Sequence, residues 1–398
     1  MICKITNKKI KPFMSFGLMP IANGFLKKKN FDKEFFFKME VGFSKDISLF
    51  QLNDHPKPKM MFNKNYPFFT SSSNFMINHF KNYSLWVKKY YFRNAKKIIE
   101  IGSNDGTLLK NFKSSKTEIL GIEPSKNVAS VAIKKKVNTI NKFFSYKTAK
   151  NLKKFKKKTD LICAANAICH IPNLNDLIKG LDLLLSKKGV FVFEEPYLGS
   201  MYEKISYDQI YDEHIFIFSV SSIKKIFDLY NFDLVDVQKQ KTHGGSMRYV
   251  VARRGEYKIK AIVKKYLLKE KKLNIDNLKG CLKFKKNCEN SKKKLRSKIL
   301  SIKKKNKIIG GYAATSKSTT ILNYCGINNK HINFICDTTN DKIGKYTPKT
   351  HIPIVDVNYF RKNIPDYTFL FAWNHKNEIF KKEKKILKKT NWIAHIKI

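Results

Sequence analysis

Beyond residue 96, short apolar runs alternate with longer stretches whose apolar residues recur on one face, and this alternation organises the chain. The runs Lys97–Ile101, Glu118–Ile122, Thr159–Ala164, Gly189–Glu194, Phe232–Lys239 and Met247–Arg253 read as strands. With helix-length segments between them, they predict a doubly wound α/β sheet. Upstream, residues 1 to about 85 lack helical periodicity and carry turn formers at Pro20, Asp54-His55-Pro56 and Ser71-Ser72-Ser73. That pattern predicts a small, mostly-β domain, with helix beginning only at Tyr83 and running through Tyr91. Residues 256–305 are lysine-rich, and Ile262, Tyr266, Leu273 and Leu278 keep helical spacing, which predicts one or two long linking helices. The alternation then restarts, with strands at Lys307–Tyr312, Ile332–Asp337 and Tyr367–Ala372 and helices at Thr319–Tyr324 and Glu378–Lys389. The expected domains are 1–82, 83–255 and 256–398, the last a Rossmann-like α/β unit.

A chain of 398 residues with 42% hydrophobic and 13% aromatic content can bury several cores, so the formal charge of +49 does not signal disorder. The lysines run the whole length, as in Lys134-Lys135-Lys136 and Lys303-Lys304-Lys305. They read as solvated faces, and no specific nucleic-acid partner is expected. Seven cysteines, an odd number without repeating spacing, argue against a disulfide framework and for a reducing compartment. No stretch has the length and apolarity of a membrane span or the pattern of a signal peptide, so a cytoplasmic protein, monomer or homodimer, with no membrane partner is expected.

Candidate chemistry begins at Ile98–Leu109, an apolar strand followed by a glycine turn and an expected amphipathic helix. Gly102 permits close approach of a ligand to the backbone. Ser103, Asn104 and Gly106 complete the turn, and the next strand ends in Glu123, whose carboxylate suits a ribose diol. Asn166, after the strand that ends at Ala164, falls on the same carboxyl edge, where it can hold the amino-acid part of a cofactor or simply cap. The turn lacks the full G-x-G-x-x-G pattern, and Asp105 sits where it is expected to repel a pyrophosphate. S-adenosylmethionine, with a sulfonium and no phosphate, fits this pattern better than a dinucleotide.

The strings PIANGFL, IEIGSNDGTLL, NAICHIPN, YDEHIFIFS, HGGSMRYVVA, GGYAATSKSTTILNYCGI, DTTNDKIGKYTPKTHIPIV and FAWNH, in this order, resemble the sugar C-methyltransferase family acting on nucleotide-linked 4-keto-deoxysugars. The resemblance spans essentially the whole chain. It implies a small amino-terminal domain, usually zinc-binding, a central S-adenosylmethionine-binding sheet, and a carboxy-terminal α/β domain that contributes to the sugar-nucleotide site. It also implies base-generated enolate chemistry, with His214 as base, Tyr211 as donor to the ketone oxygen and Glu213 polarising the site. His170 matches a second active-site histidine, and Tyr66 a first-domain residue that reaches the sugar. Taken alone, an unperturbed imidazole titrates near pH 6.5, where a general base is well poised. In the last domain, the turn with Thr315, Ser316, Lys317 and Ser318 offers N–H groups, hydroxyls and an ammonium to a diphosphate, or is only a capped helix start; Asn374 joins it as a substrate residue.

The departure from the family lies at the zinc site, where two Cys-x-x-Cys pairs are usual. Only Cys3 remains; Thr6, Ser44 and Ile47 occupy the other positions, so zinc is not expected. Apolar residues such as Phe16, Leu18, Phe25 and Phe43 must then hold the first domain. The alternatives are an O- or N-methyltransferase of surface-polysaccharide sugars, an NAD-dependent sugar-nucleotide oxidoreductase and, from charge alone, a polyanion-binding protein.

Overall fold

In the computed structural model, which describes residues 1–92 and 95–397, seven strands form the central sheet. Their spatial order is Phe232–Gln240, Ser246–Arg253, Leu185–Pro196, Thr159–Ala165, Lys97–Ile101, Glu118–Ile122 and Thr139–Ile140. Ser246–Arg253 runs antiparallel to both neighbours, and the other contacts in the sheet are parallel. Chain order reverses between Lys97–Ile101 and Thr159–Ala165. A crevice therefore opens beyond the carboxyl ends of these two strands, where the crossovers diverge to opposite sides. Both faces are apolar: Ile99, Ile101, Leu120, Ile162 and Phe191 enter one core, and Ile98, Ile119, Leu161 and Val190 the other. The short strand Thr139–Ile140 was not predicted, since two residues give no periodicity.

The carboxy-terminal sheet has five parallel strands ordered Ile354–Asp356, Phe334–Asp337, Ile309–Tyr312, Tyr367–Leu370 and Asn391–Ile393. Its switch lies between Ile309–Tyr312 and Tyr367–Leu370, which places the Thr315 turn and Asn374 at one crevice. The two three-residue edge strands were missed for the same reason as Thr139–Ile140. The helix expected over Glu378–Lys389 is confined to Lys376–Lys382.

Two helices, Ala261–Lys272 and Leu278–Lys304, connect the units. Leu273 is exposed in the turn between them, and Ile275 takes the buried place instead. The longer helix buries Cys281, Phe284, Cys288, Leu295, Ile299 and Ile302 at helical spacing, against the amino-terminal sheet and the helix Ser316–Cys325. Side chains of all three units merge there into one core.

The amino-terminal sheet pairs Pro12–Pro20, Phe36–Ser44 and Leu49–Leu52 with Phe216–Ile217, a strand lent by the middle of the chain. Phe16 and Phe43 are buried and Phe25 partly so, but Leu18 faces solvent, contrary to expectation. A register shift between Ser15 and Gly17 breaks the period-two alternation and turns Leu18 outward. The helix expected from Tyr83 begins at Asn74, capped by Ser73 accepting from the Met76 N–H, and so crosses the expected 82/83 boundary unbroken. Its first turns carry three consecutive apolar residues, Phe75, Met76 and Ile77, with Phe75 exposed, and so show no single apolar face in the sequence.

Cys3 does meet Ser44 and Thr6, with Ile47 in the same core, so the four ligand positions of the zinc-binding pattern converge. One thiol, two hydroxyls and a hydrocarbon do not fit tetrahedral zinc. Purified protein should accordingly hold well under one zinc per chain after dialysis against a chelator. Metal analysis finding one zinc, lost in Cys3→Ala, would refute this.

Candidate active site

A cavity of about 630 Å³ occupies the crevice of the central sheet, and Gly102, Ser103, Asn104, Glu123, Asn166, His170 and Tyr66 all line it. Gly102 has φ +69, and a Cβ there would stand 2.6 Å from that of Ala167, so the glycine serves loop packing as well as ligand approach. Glu123 is buried; its oxygens accept from the N–H groups of Asn104 at 2.9 Å and Ser125 at 2.7 Å, which aim the carboxylate into the cavity. Burial raises its pKa against those two bonds. The Ser103 Oγ and Asn166 Oδ1 are buried without protein partners. A carboxylate for a diol, an amide oxygen for an ammonium and apolar walls including Ile122 and Phe144 suit S-adenosylmethionine.

Two turn residues do other work. The Asn104 side chain accepts from the N–H and hydroxyl of Thr70 and donates to the Phe68 carbonyl, tying the segment before the first long helix over the cofactor crevice. Gly106, at φ +76, packs on Val137 and is not among the cavity residues. Asp105 likewise does not face a ligand: its buried carboxylate accepts from the Ser71 N–H, the Thr107 hydroxyl and Lys135. The repulsion of a pyrophosphate expected from Asp105 is therefore absent, because three donors satisfy it behind the loop. The antiparallel strand Ser246–Arg253 instead distinguishes this sheet from the all-parallel dinucleotide arrangement.

Tyr211, Glu213 and His214 stand one layer behind the cavity wall. His170 stacks on His214 at 5.4 Å between ring centroids, and Phe62 stacks on His170 at 5.3 Å. The His214 Nδ1 lies 2.7 Å from the Gln209 carbonyl, which can only accept, so the proton sits on Nδ1. The lone pair of Nε2 then accepts from the Tyr211 hydroxyl at 2.7 Å. Burial, reinforced by His170, pushes His214 well below the ordinary imidazole range, and burial pushes His170 down to about 3. The near-neutral titration expected for His214 is thus corrected: removal from water keeps it neutral throughout the physiological range. Cys169, His170 and His214 bring potential ligand atoms within 4.8 Å, yet both His214 nitrogens are engaged and Cys169 bonds to Glu195.

Glu213 accepts from the Asn23 side chain at 2.7 Å, and its neighbour Asp212 accepts from the Ala22 N–H. The Ala22 carbonyl in turn accepts from Thr319, and the Ile210 carbonyl from Thr320. All three units therefore grip the segment 207–214. Burial pushes Glu213 up to about 7, against the Asn23 bond and Lys342. Tyr66 is raised by burial and then by the charges of Glu213 and Glu123.

In the carboxy-terminal crevice, Thr315 and Ser318 bond each other in a capping box: the Ser318 hydroxyl accepts from the Thr315 N–H and donates to its carbonyl, while the Thr315 hydroxyl accepts from the Ser318 N–H and keeps its own proton to donate. Lys317 is buried, donates to Asn374 at 3.0 Å and lies 5.2 Å from the centre of the Trp373 ring. Burial pushes it down to about 8, opposed by Asp208 and aided by Lys204. Sequence reasoning missed Trp373, whose indole donates to Asp208; Asp208 also pairs with His395 at 3.1 Å. It missed Glu195, which accepts from the Ala167 and Ile168 N–H groups and holds the His170 turn. Two consecutive acids after an apolar strand were the available signal.

Three family models match the chain in order. Residues 2–62 match the putative zinc binding domain, 72–237 a methyltransferase domain, and 241–396 the C-methyltransferase C-terminal domain. The chain is 28% identical to C-methyltransferase NovU of Streptomyces niveus over 377 residues, covering 94% of this chain and 90% of that one. Among solved structures, the PH0226 protein of Pyrococcus horikoshii is 15% identical, with a TM-score of 0.39 over 47% of this chain and 94% of its own. An S-adenosylmethionine-dependent methyltransferase of Clostridium acetobutylicum, also 15% identical, gives 0.35 over 45% and 92%.

Because Glu213 titrates higher in the fold than its ordinary 4.5, its proton stabilises the fold below about pH 4.5, and that contribution is lost as pH rises through about 7. Glu213→Gln keeps the Asn23 bond and cannot ionise. Its melting temperature relative to wild type should climb between pH 5 and 7.5 and level off above. A difference flat across that range would show that Glu213 titrates normally.

Proposed function

We propose, from the premise that this chain belongs to the S-adenosylmethionine-dependent C-methyltransferases, that it methylates the carbon beside the ketone of a nucleotide-linked keto-deoxysugar. The observation that carries this reading is the Tyr211–His214 pair, whose 2.7 Å separation matches the scale of a ketone oxygen and its neighbouring carbon. With Nδ1 pinned to the Gln209 carbonyl, Nε2 is the basic atom. When an acceptor enters, its oxygen takes the Tyr211 hydroxyl and frees Nε2 for the adjacent C–H. The proton passes to Nε2, the C–H electrons form the enolate double bond, and Tyr211 stabilises the oxygen charge. S-adenosylmethionine supplies the electrophilic methyl. Glu213, raised by burial to about 7, carries less negative charge beside the forming enolate than an ordinary carboxylate.

The sugar-nucleotide part of the reading is supported by the crevice of the last domain. Lys317, over Trp373 and beside Lys204, concentrates positive charge where a diphosphate can repay the desolvation of the ammonium.

With S-adenosylhomocysteine bound, wild type should exchange the hydrogen beside the ketone of a keto-sugar nucleotide with deuterated water. His214→Asn should abolish both exchange and methylation while retaining cofactor binding, and Tyr211→Phe should slow both by about a hundredfold or more. Normal exchange in His214→Asn, read by mass spectrometry, removes His214 from the role. A thermal shift with NAD and none with S-adenosylhomocysteine would overturn the cofactor site itself.

Lys317→Ala should raise the acceptor KM by roughly tenfold or more, the scale of one charge-assisted hydrogen bond, and leave cofactor affinity nearly unchanged. Collapse of cofactor binding would place Lys317 in the donor site instead.

A further inference from the structure

His243, Gly244 and Gly245 form a turn in which three consecutive residues have positive φ, at 51°, 81° and 135°. Only the first is not glycine. Such a conformation is strained for a β-carbon-bearing residue and persists where the surroundings over-determine it. Here they do. Gln209 donates to the His243 carbonyl and Lys204 to the Gly244 carbonyl, while the Gly245 N–H bonds the Thr242 carbonyl at 2.8 Å. A Cβ on Gly244 would stand 2.1 Å from the Trp373 ring, and one on Gly245 2.4 Å from the Ser200 hydroxyl. The turn is wedged between the central domain and the carboxy-terminal crevice.

The His243 side chain lines the same cavity as Gly102, Asn166 and His170. Burial, then Lys317 and His375, push its pKa down to about 3, so it is neutral and offers one donor and one acceptor. Among the described residues, neither ring nitrogen has a hydrogen-bond partner in the protein. The nearby carboxylate of Glu194 is already taken, by the Arg248 Nε at 2.7 Å and the His79 Nε2 at 2.6 Å. A strained backbone thus carries an imidazole with unspent hydrogen bonds to the seam between the methyl-donor crevice and Lys317.

We propose that His243 binds an oxygen of the acceptor's sugar ring and orients that ring between the methyl donor and the Tyr211–His214 pair. It is a positioning residue for the reaction; the proton transfers remain with His214. The inference rests on the acceptor class proposed above, and it accounts for a residue that glycine would replace at lower backbone strain.

The test uses His243→Gly, which suits the positive φ, and His243→Asn, which tolerates it and keeps a donor and an acceptor. Both should melt at or above the wild-type temperature and bind S-adenosylhomocysteine within threefold of wild type. His243→Gly should lose at least tenfold in kcat/KM for a keto-sugar nucleotide, with a raised KM, and His243→Asn should recover part of that loss. Activity of His243→Gly within twofold of wild type overturns the proposal. So does a loss matched by an equal loss of S-adenosylhomocysteine affinity, which would put His243 on the cofactor. Wild type that binds S-adenosylhomocysteine but turns over no keto-sugar nucleotide sinks the acceptor class, and this inference with it.

Discussion

Buried carboxylates in the segment 207–214 find their partners in other parts of the chain, and the assembly of the molecule depends on that constraint. Asp208 takes the Trp373 indole and His395, Asp212 the Ala22 N–H, and Glu213 the Asn23 amide. A buried carboxylate without such donors is costly, so the segment reaches its conformation only when the first and last domains are docked. The shared apolar core along Leu278–Lys304 supplies area, but these directional bonds fix where the domains stop. The geometry around His214 and the docking of the domains are thereby coupled: the backbone that offers the Gln209 carbonyl to His214 also carries Asp208 and Asp212.

That coupling explains the electrostatics of the site. Three units closing over one segment exclude water, and exclusion of water drives every large shift here: His214 and His170 downward, Glu213 and Glu195 upward. The result is a site with few net charges despite many titratable groups. Neutral imidazoles and half-protonated acids suit chemistry in which negative charge develops on an enolate oxygen, because little fixed charge opposes it. Positive charge is kept for the far crevice, where Lys317 lies over the Trp373 ring within reach of the charge of Asp208.

The two switch-point crevices make this arrangement possible. One sheet opens at Gly102 and Asn166, the other at the Thr315 turn and Asn374, and the Thr242–Ser246 turn lies between them. Each sheet builds its crevice from its own strand order. Their juxtaposition comes from the long helix and from the segment 207–214.

The alternation of apolar runs determined the two sheets closely: Lys97–Ile101 and Glu118–Ile122 stand at their expected bounds, because five-residue runs flanked by turns need no tertiary help to be recognised. The motifs likewise marked the polar residues at the strand ends of the cavity, since Gly102, Ser103, Glu123 and Asn166 follow strands directly and strand ends are local features. Only the tertiary structure decided what depends on partners distant in sequence. Asp105 turns to Lys135 instead of a ligand, Leu18 is exposed by a register shift, and Thr315 and Ser318 cap their own helix. The tautomer of His214 follows from a carbonyl five residues away, and the direction of its pKa from burial, reinforced by a stacked histidine from another strand end. A one-dimensional pattern can say which residues are polar and where the backbone turns. It cannot say which donor a buried oxygen will meet, because that is settled by the packing of units joined over hundreds of residues.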